Sequence, residues 1–438
     1  MNLEKKIKKK KAKVAVIGLG YVGLPTAVHI GKAGFEVFGI DIKEERVKKV
    51  NLGNSYIGDV KSEELKEVVK SGKLKAFANH LPLKNSDIVL ICVPTPLDKT
   101  KNPDLTYIKE TTKEIAKHLH KEQLIILEST CPPETTRKVI LPELEKTGLK
   151  IGKDFHLAHC PERIDPGNKN WNSKNIPRVV GGVTKKCTKL AKMFYQTFLG
   201  AEIIEVSSPE VAEMTKLLEN AFRLVNISFI NEMALLAGRM GIDIWEIIEA
   251  AKTKPFGFMP FYPSAKCGGH CIPIVPFFLS SKAKEYNFWT RFIDLAGEIN
   301  EQMPHFVMTK VIWVLNLKGK PVRGSRILVW GVAYKKDIGD VRESAAFDII
   351  ADLIRKGAKV DYFDPYVPEF EVEHRIIKNP VLLKSIKYSL ENIKKYDLVL
   401  ILTDHSGFDY EKLAQKAKLV IDTRNVIKSR NHKNVFWL

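Results

Sequence analysis

Long apolar runs are missing from this chain of 438 residues. No uninterrupted stretch approaches the roughly 20 residues that a helix needs to cross a bilayer, so membrane insertion is not expected. Cysteine is sparse and scattered, at Cys92, Cys131, Cys160, Cys187, Cys267 and Cys271. That density makes no disulfide framework and suits a reducing compartment. Cys267 and Cys271 flank His270, yet no second Cys/His cluster supplies the remaining ligands of a zinc site, and no metal is expected. Acidic residues are outnumbered, 51 against 70 Lys and Arg, for a net charge of +19. The excess is spread along the chain, and no basic run is interleaved with aromatics, which argues against a nucleic-acid partner. A lysine-rich surface, or attraction for anionic nucleotides, accounts for it. The N-terminal EKKIKKKKAK leads into a strand and not into the apolar centre of a signal peptide. It reads as a solvated tail on a cytoplasmic protein.

What is present alternates. At this length, with 45% hydrophobic residues, the chain exceeds one ordinary core and should divide into two or three domains. Short apolar runs at Val14–Gly20, Phe35–Asp41, Asp87–Val93, Leu124–Ser129, His156–Ala158 and Ile203–Val206 read as strands. Helical stretches such as Pro25–Lys32 lie between several of them, the pattern of a parallel, doubly wound sheet. From Ser207 the spacing turns helical. Ser207 or Ser208 can cap, Pro209 suits the first turn and Gly241 the end, for a helix of about 30 residues and roughly 45 Å. A helix that long, apolar over much of its surface, packs between domains or between subunits. Further helices are expected at Asp243–Ala251, Pro276–Lys284 and Phe292–Leu317. Lys318–Gly324 reads as a linker. Strands then return at Arg326–Val332, Lys359–Phe363, Leu398–Leu402 and Leu419–Asp422, with a helix at Ser344–Arg355, and no sequence repeat relates the two parts. The expected fold class is α/β. Two Rossmann-like doubly wound domains, residues 1–206 and 319–438, are joined by a central helical domain, residues 207–318, built on the long helix.

Several residues carry chemistry. In GLGYVG, Gly18 permits a tight turn, Gly20 lets backbone approach a pyrophosphate, and Gly23 lets helix and strand pack closely. The pyrophosphate would sit at the positive end of the following helix. Asp41 ends the next strand, where its carboxylate can take ribose hydroxyls and repel a 2′-phosphate, favouring NAD over NADP. The alternative is a structural turn with a surface Asp. Thr95 and Thr130 close two strands at the sheet end that binds ligands, or serve as turn hydroxyls. Glu162 follows another strand, as general base or loop acid. Lys216 and Asn220 share a helix face and could together stabilise an oxyanion, unless Lys216 merely snorkels. Cys271 lies in a loop beside His270, behind Gly268 and Gly269, which clear space for a bulky ligand. It is readable as a nucleophile or as an inert buried thiol. Lys335 and Arg342 follow a strand of the last domain and could each hold a phosphate or a cofactor amide.

Taken together, GLGYVGLP, VPTPL, EST, PER with DPGN, EVAEMTKLLENAFR, GGHCIP, GVAYKKD with DVRES, and FDPY resemble the UDP-glucose/GDP-mannose dehydrogenase family in order and spacing, from about Lys13 to about Asn425. The stretch TKPFGFMPFYP is most like the UDP-N-acetylglucosamine branch, with UDP-N-acetylmannosamine close behind and UDP-glucose as a further alternative. The resemblance implies a four-electron oxidation of a sugar C6 alcohol to a uronate with NAD, for surface polysaccharide synthesis. Cys271 would carry the thiohemiacetal and thioester, Lys216 and Asn220 the oxygen, Glu162 and Thr130 the water and protons. It assigns Gly18, Gly20, Tyr21, Val22, Gly23 and Asp41 to NAD, together with Arg46, Pro94, Thr95, Thr130 and Arg342. It assigns the UDP-sugar to Glu162, Arg163, Lys216, Asn220, Phe261 and Tyr262, with Ser264, Gly268 and Lys335. It also implies a homodimer formed through the long helix.

Two departures stand out. The family usually has Asp four residues after the catalytic Cys; here that position is Val275, which can neither accept a proton nor orient water. The usual glycine-rich loop is replaced by Ser264, Ala265, Lys266 and Cys267, restricting the backbone and adding a charge where the sugar should approach. A second reading follows: a homologue that binds NAD and UDP-sugar but is impaired in turnover.

Overall fold

The computed structural model describes residues 1–58, 60–98, 100–163, 170–171, 175–269 and 271–438. His270 and the DPGN stretch at 165–168 lie outside the described residues. The chain forms two compact units, Met1–Glu219 with Phe277–Phe288, and Asn220–Pro276 with Trp289–Leu438.

The first unit is built on eight strands: β1 (Lys13–Ile17), β2 (Glu36–Ile40), β3 (Leu74–Phe77), β4 (Ile88–Ile91), β5 (Leu124–Leu127), β6 (His156–His159), β7 (Arg178–Gly182) and β8 (Ile203–Glu205). Their order is β3-β2-β1-β4-β5-β6-β7-β8. The order reverses between β1 and β4, which is where an open sheet of this kind binds its ligand. Successive side chains feed opposite faces. Val14, Val16, Ile88 and Leu90 enter one core. Ala15, Ile17, Val89 and Ile91 enter the other. This is why the central strands read as continuous apolar runs.

Two expectations need correction. The sheet is not wholly parallel, because β7 runs antiparallel to β6. The basic N-terminus is not a solvated tail. Leu3–Lys8 is a helix capped by the Asn2 side chain. Its Leu3 and Ile7, one turn apart, are 1% and 0% exposed within the first core, and Lys6 pairs with Asp87. A lysine count hides two apolar residues at helical spacing, and their burial decides the matter.

The second unit holds a five-stranded parallel sheet. Its strands are β9 (Arg326–Trp330), β10 (Lys359–Phe363), β13 (Leu398–Ile401), β14 (Val420–Asp422) and β15 (Val435–Trp437), and a separate hairpin pairs β11 (Glu369–Val372) with β12 (Val381–Lys384). The order is β10-β9-β13-β14-β15. Neither the hairpin nor β15 was anticipated. The helices Ile244–Lys252 and Arg291–Asn316 belong here too. The long helix, Pro209–Met240, has 32 residues and runs through both units. Gly241, at φ +72°, ends it as a left-handed glycine should.

Candidate active site

In the first unit the glycine turn is fixed from both sides. Gly18 has φ +91°, and a Cβ there would lie 2.6 Å from the Cys92 carbonyl oxygen. A Cβ on Gly23 would fall 1.9 Å from the Gly18 oxygen, so helix Gly23–Lys32 can sit on the turn only without one. Gly20 has nothing within 4 Å on its Cβ side. No side chain caps the helix at Val22. Tyr21 is exposed beside it. Open backbone at an uncapped helix N-terminus is what a pyrophosphate needs, so the turn fits a dinucleotide.

Asp41 is buried and completes this end. Its Oδ2 accepts from Leu19 N at 2.9 Å and pairs with Arg46 Nη1 at 3.2 Å, and its Oδ1 accepts from Lys43 N at 2.9 Å. Tyr56 braces the turn by donating to Leu19 O at 2.6 Å. Burial, with the Asp41 charge, pushes the Tyr56 phenol up to about 12, so it stays a donor. At the ends of β4 and β5, Thr95 donates to the Thr130 carbonyl at 2.6 Å, and Ser129 donates to Val93 O at 2.7 Å. The two predicted threonines are thereby held together. Pro94, just before Thr95 in the chain, is exposed.

Glu162, past the end of β6, is 8% exposed and pairs with Arg178 at 2.5 Å. Arg163 is spent elsewhere: it pairs with Glu219 at 2.6 Å and donates to Pro177 O at 2.9 Å. On the long helix Lys216 and Asn220 are both buried, at 7% and 4% exposure. Lys216 makes no ion pair, and Asn220 Nδ2 no hydrogen bond, among the described residues. A buried amide and ammonium with unused donors, one turn apart, can hold an oxygen on which charge develops.

In the second unit Cys271 is the one exposed thiol among six cysteines. Burial pushes the thiols of Cys160 and Cys267 up to about 12 and raises Cys92 and Cys131 as well. The loop before Cys271 is clamped. Asn300 accepts from Cys267 N at 2.7 Å and donates back to Cys267 O at 3.2 Å. Gly269, at φ +85°, donates to Arg342 O at 2.9 Å. A Cβ on Gly268 would meet Tyr334 at 2.7 Å and Glu343 O at 2.8 Å. These glycines therefore allow loop-on-loop packing. Lys266 does not charge the sugar's approach either. Its side chain is 6% exposed and pairs with Asp348 at 3.0 Å and Glu301 at 3.2 Å. Val275 is 2% exposed, and its N–H donates to Cys271 O at 2.9 Å. Nearby, Phe261 packs edge-on against Phe222, and Tyr262 stacks on Trp245 and donates to Glu249 at 2.7 Å. Ser264 N donates to Asn231 at 2.9 Å.

The β9 turn repeats the logic of the β1 turn. Gly331 has φ +81° and donates to Phe363 O at 2.8 Å, as Gly18 does to Ile40 O at 2.7 Å. Asp364 accepts from Val332 N and Ala333 N, as Asp41 does from Leu19 N. Here the buried carboxylate also takes His405 Nε2, at 3.0 Å, while His405 Nδ1 accepts from Asp337 N. The two bonds fix the ring and brace the loop that carries half-buried Lys335. Arg342, farther along, is bidentate to Asp340.

Sequence reasoning missed Arg178, Glu128, Tyr195 and His405. A charged residue opening the apolar run RVVGG was the available signal for the first of them. It also missed that Cys131, His159 and Glu213 lie close enough to ligate a metal. Glu213, however, accepts from Thr136 N at 2.8 Å, Thr136 Oγ1 at 2.7 Å and Glu134 N at 2.6 Å. Its oxygens serve the start of the helical segment at Thr136.

A doubly wound sheet with this turn and acid, and a lone exposed thiol, defines an NAD-dependent oxidoreductase. The chain belongs to the UDP-glucose/GDP-mannose dehydrogenase family: its NAD binding domain matches residues 12–199, its central domain 210–302 and its UDP binding domain 328–429. A UDP-N-acetyl-D-mannosamine dehydrogenase of Pyrococcus horikoshii is 38% identical, over 95% of this chain and 96% of that protein. A UDP-N-acetyl-D-glucosamine 6-dehydrogenase of Pseudomonas aeruginosa is 35% identical, over 91% and 92%. A solved structure of the UDP-D-ManNAc dehydrogenase from Pyrococcus horikoshii has a TM-score of 0.87 and 34% identity, covering 97% of this chain and 98% of its own. Among the described residues, no helix is long and apolar enough to cross a membrane.

Proposed function

We propose that the protein oxidises the C6 alcohol of a UDP-N-acetylhexosamine to the carboxylate, and that the mannosamine epimer is preferred to the glucosamine. The sequence by itself favoured glucosamine; the 38% identity to a mannosamine enzyme, against 35% to a glucosamine enzyme, reverses the order. The observation that carries the chemistry is the exposure of Cys271 alone, on a loop clamped by Asn300 and Arg342.

NAD, when bound, accepts a hydride in each of two oxidations. Gly18, Gly20 and Gly23 shape its pyrophosphate cradle, with Tyr21 and Val22 alongside. Asp41 and Arg46 meet the ribose, and Pro94, Thr95 and Thr130 line the strand ends. The first oxidation removes a hydride from C6 and a proton from its hydroxyl, leaving an aldehyde. The Cys271 thiolate adds to that carbonyl to give a thiohemiacetal, with Lys216 and Asn220 holding the oxygen. Loss of the second hydride and the hydroxyl proton gives a thioester. Water, activated by Glu162, then releases the carboxylate and the thiol. The sum consumes one water and yields two NADH per sugar. Lys335 holds UDP phosphate on the loop that His405 braces. A panel of UDP-sugars followed by NADH absorbance and product mass tests this reading. Two NADH per UDP-N-acetylmannosamine, with a uronate product, is expected; no NADH from any UDP-sugar rejects it.

The protein also pairs with a second copy of itself. The long helix exposes Val211, Met214, Leu218, Phe222, Phe229 and Leu236, spaced three, four or seven apart. Such a stripe on one helix face fits a self-complementary partner. Light scattering should give twice the 49.6 kDa chain mass. Leu218→Glu with Phe229→Glu should return it to the single mass, and a wild-type monomer would refute the pairing.

A further inference from the structure

Behind Glu162 sits a cation that the mechanism above does not use. Arg178 opens β7 and is 2% exposed. Its Nη2 lies 2.5 Å from Glu162 Oε2. Arginines this deep usually spend their fork on carbonyl oxygens, but Arg178 Nε and Nη1 have no hydrogen-bond partner among the described residues. Among the described residues its one ion pair is with the Glu162 carboxylate. A second acid, Glu128, lies just past β5 and is 1% exposed. Glu128 is braced by Tyr195, whose hydroxyl donates at 2.5 Å, and by the Cys92 thiol at 3.4 Å. Burial raises the Glu128 pKa against the pull of Arg178, with Glu162 adding to the rise. Glu162 is thus held from two sides, by the Arg178 guanidinium at Oε2 and by Arg163 N, which donates to Oε1 at 2.7 Å.

We propose that Arg178 is the positioning residue for Glu162, holding its carboxylate in the orientation that activates water. The inference rests on the reading of Glu162 as the group that activates water. Without that pair the carboxylate is free to turn away from the water it must hold, and a small misplacement of a reacting group costs rate steeply. Arg178 touches neither sugar nor cofactor in this role; it acts through Glu162 alone.

The test is kcat, the KM for NAD and the acyl adduct on Cys271 by intact mass, with UDP-N-acetylmannosamine, in wild type, Arg178→Gln, Arg178→Lys and Glu162→Gln. Arg178→Gln should lower kcat by about 10²-fold, the scale of losing a positioned base. The KM for NAD should not change, and the adduct on Cys271 should accumulate because hydrolysis alone is slowed. Arg178→Lys, which keeps the charge without the fork, should restore part of the rate, and it still reports if the Arg178→Gln protein fails to fold. A wild-type kcat in both Arg178 variants, while Glu162→Gln abolishes turnover, overturns the role of Arg178 and leaves that of Glu162 standing. A Glu162→Gln enzyme with wild-type kcat overturns both.

Discussion

Cys271→Ala should stop uronate formation while leaving NAD binding as it is. The expected loss is on the order of 10³-fold or more, the scale on which removal of a covalent nucleophile is felt. The reason is physical and specific to this thiol. A thiolate is the reacting species, and a buried thiol in apolar surroundings resists ionisation. Cys267, four residues earlier, shows the contrast: it is buried, and its pKa is pushed up to about 12. Cys267→Ala should therefore turn over nearly as wild type and lose only packing. Product mass and NADH yield, measured on both variants side by side, decide the point. Uronate produced at the wild-type rate by Cys271→Ala would end the covalent mechanism.

Val275→Asp carries the second large effect. Thioester hydrolysis needs a group that holds water and takes its proton, and at this position the chain offers a buried valine at 2% exposure. With Glu162 alone activating water, hydrolysis becomes the slow step. Wild type should show a burst of two NADH per active thiol, followed by a slower steady rate. Intact-mass spectrometry during the steady phase should find the sugar acyl group on Cys271. The aspartate variant should lose the burst and raise the steady rate by about 10²-fold, the lower end of what a positioned acid–base group contributes. It should also be less stable, by about 1–3 kcal/mol, because a carboxylate replaces an apolar side chain in a closed site. A wild-type enzyme with neither burst nor adduct, matched in rate by the variant, would show that Val275 is no handicap.

Much of the dinucleotide end was legible before any coordinates. Gly18, Gly20, Gly23 and Asp41 lie within one strand–turn–helix–strand passage, and each acts through its own backbone or its nearest strand. Local spacing is then enough. The same holds for the long helix, whose Pro209 start and Gly241 stop are local signals. The loop around Cys271 was legible only in part. Cys271 was placed on a loop but read either as a nucleophile or as an inert buried thiol, and only its exposure separates the two; Gly268 and Gly269 proved to make room for Tyr334 and Glu343. Lys266 turned inward to Asp348 and Glu301. Those partners lie far along the chain, and no periodicity points to them. The N-terminal helix failed for a related reason: the seven lysines of EKKIKKKKAK outweigh Leu3 and Ile7 in composition, yet only the apolar pair meets the core.

The sequence alone therefore determined two largely parallel sheets and the dinucleotide turn. These depend on strand and helix periods and on backbone conformations that a few neighbouring residues set. Tertiary structure alone decided which polar groups meet in the interior: Arg178 with Glu162, Asp364 with the His405 ring, Lys266 with Asp348. A buried charge or polar group is stable only beside its partner, and that partner is chosen by how distant elements pack, which no short stretch of chain records.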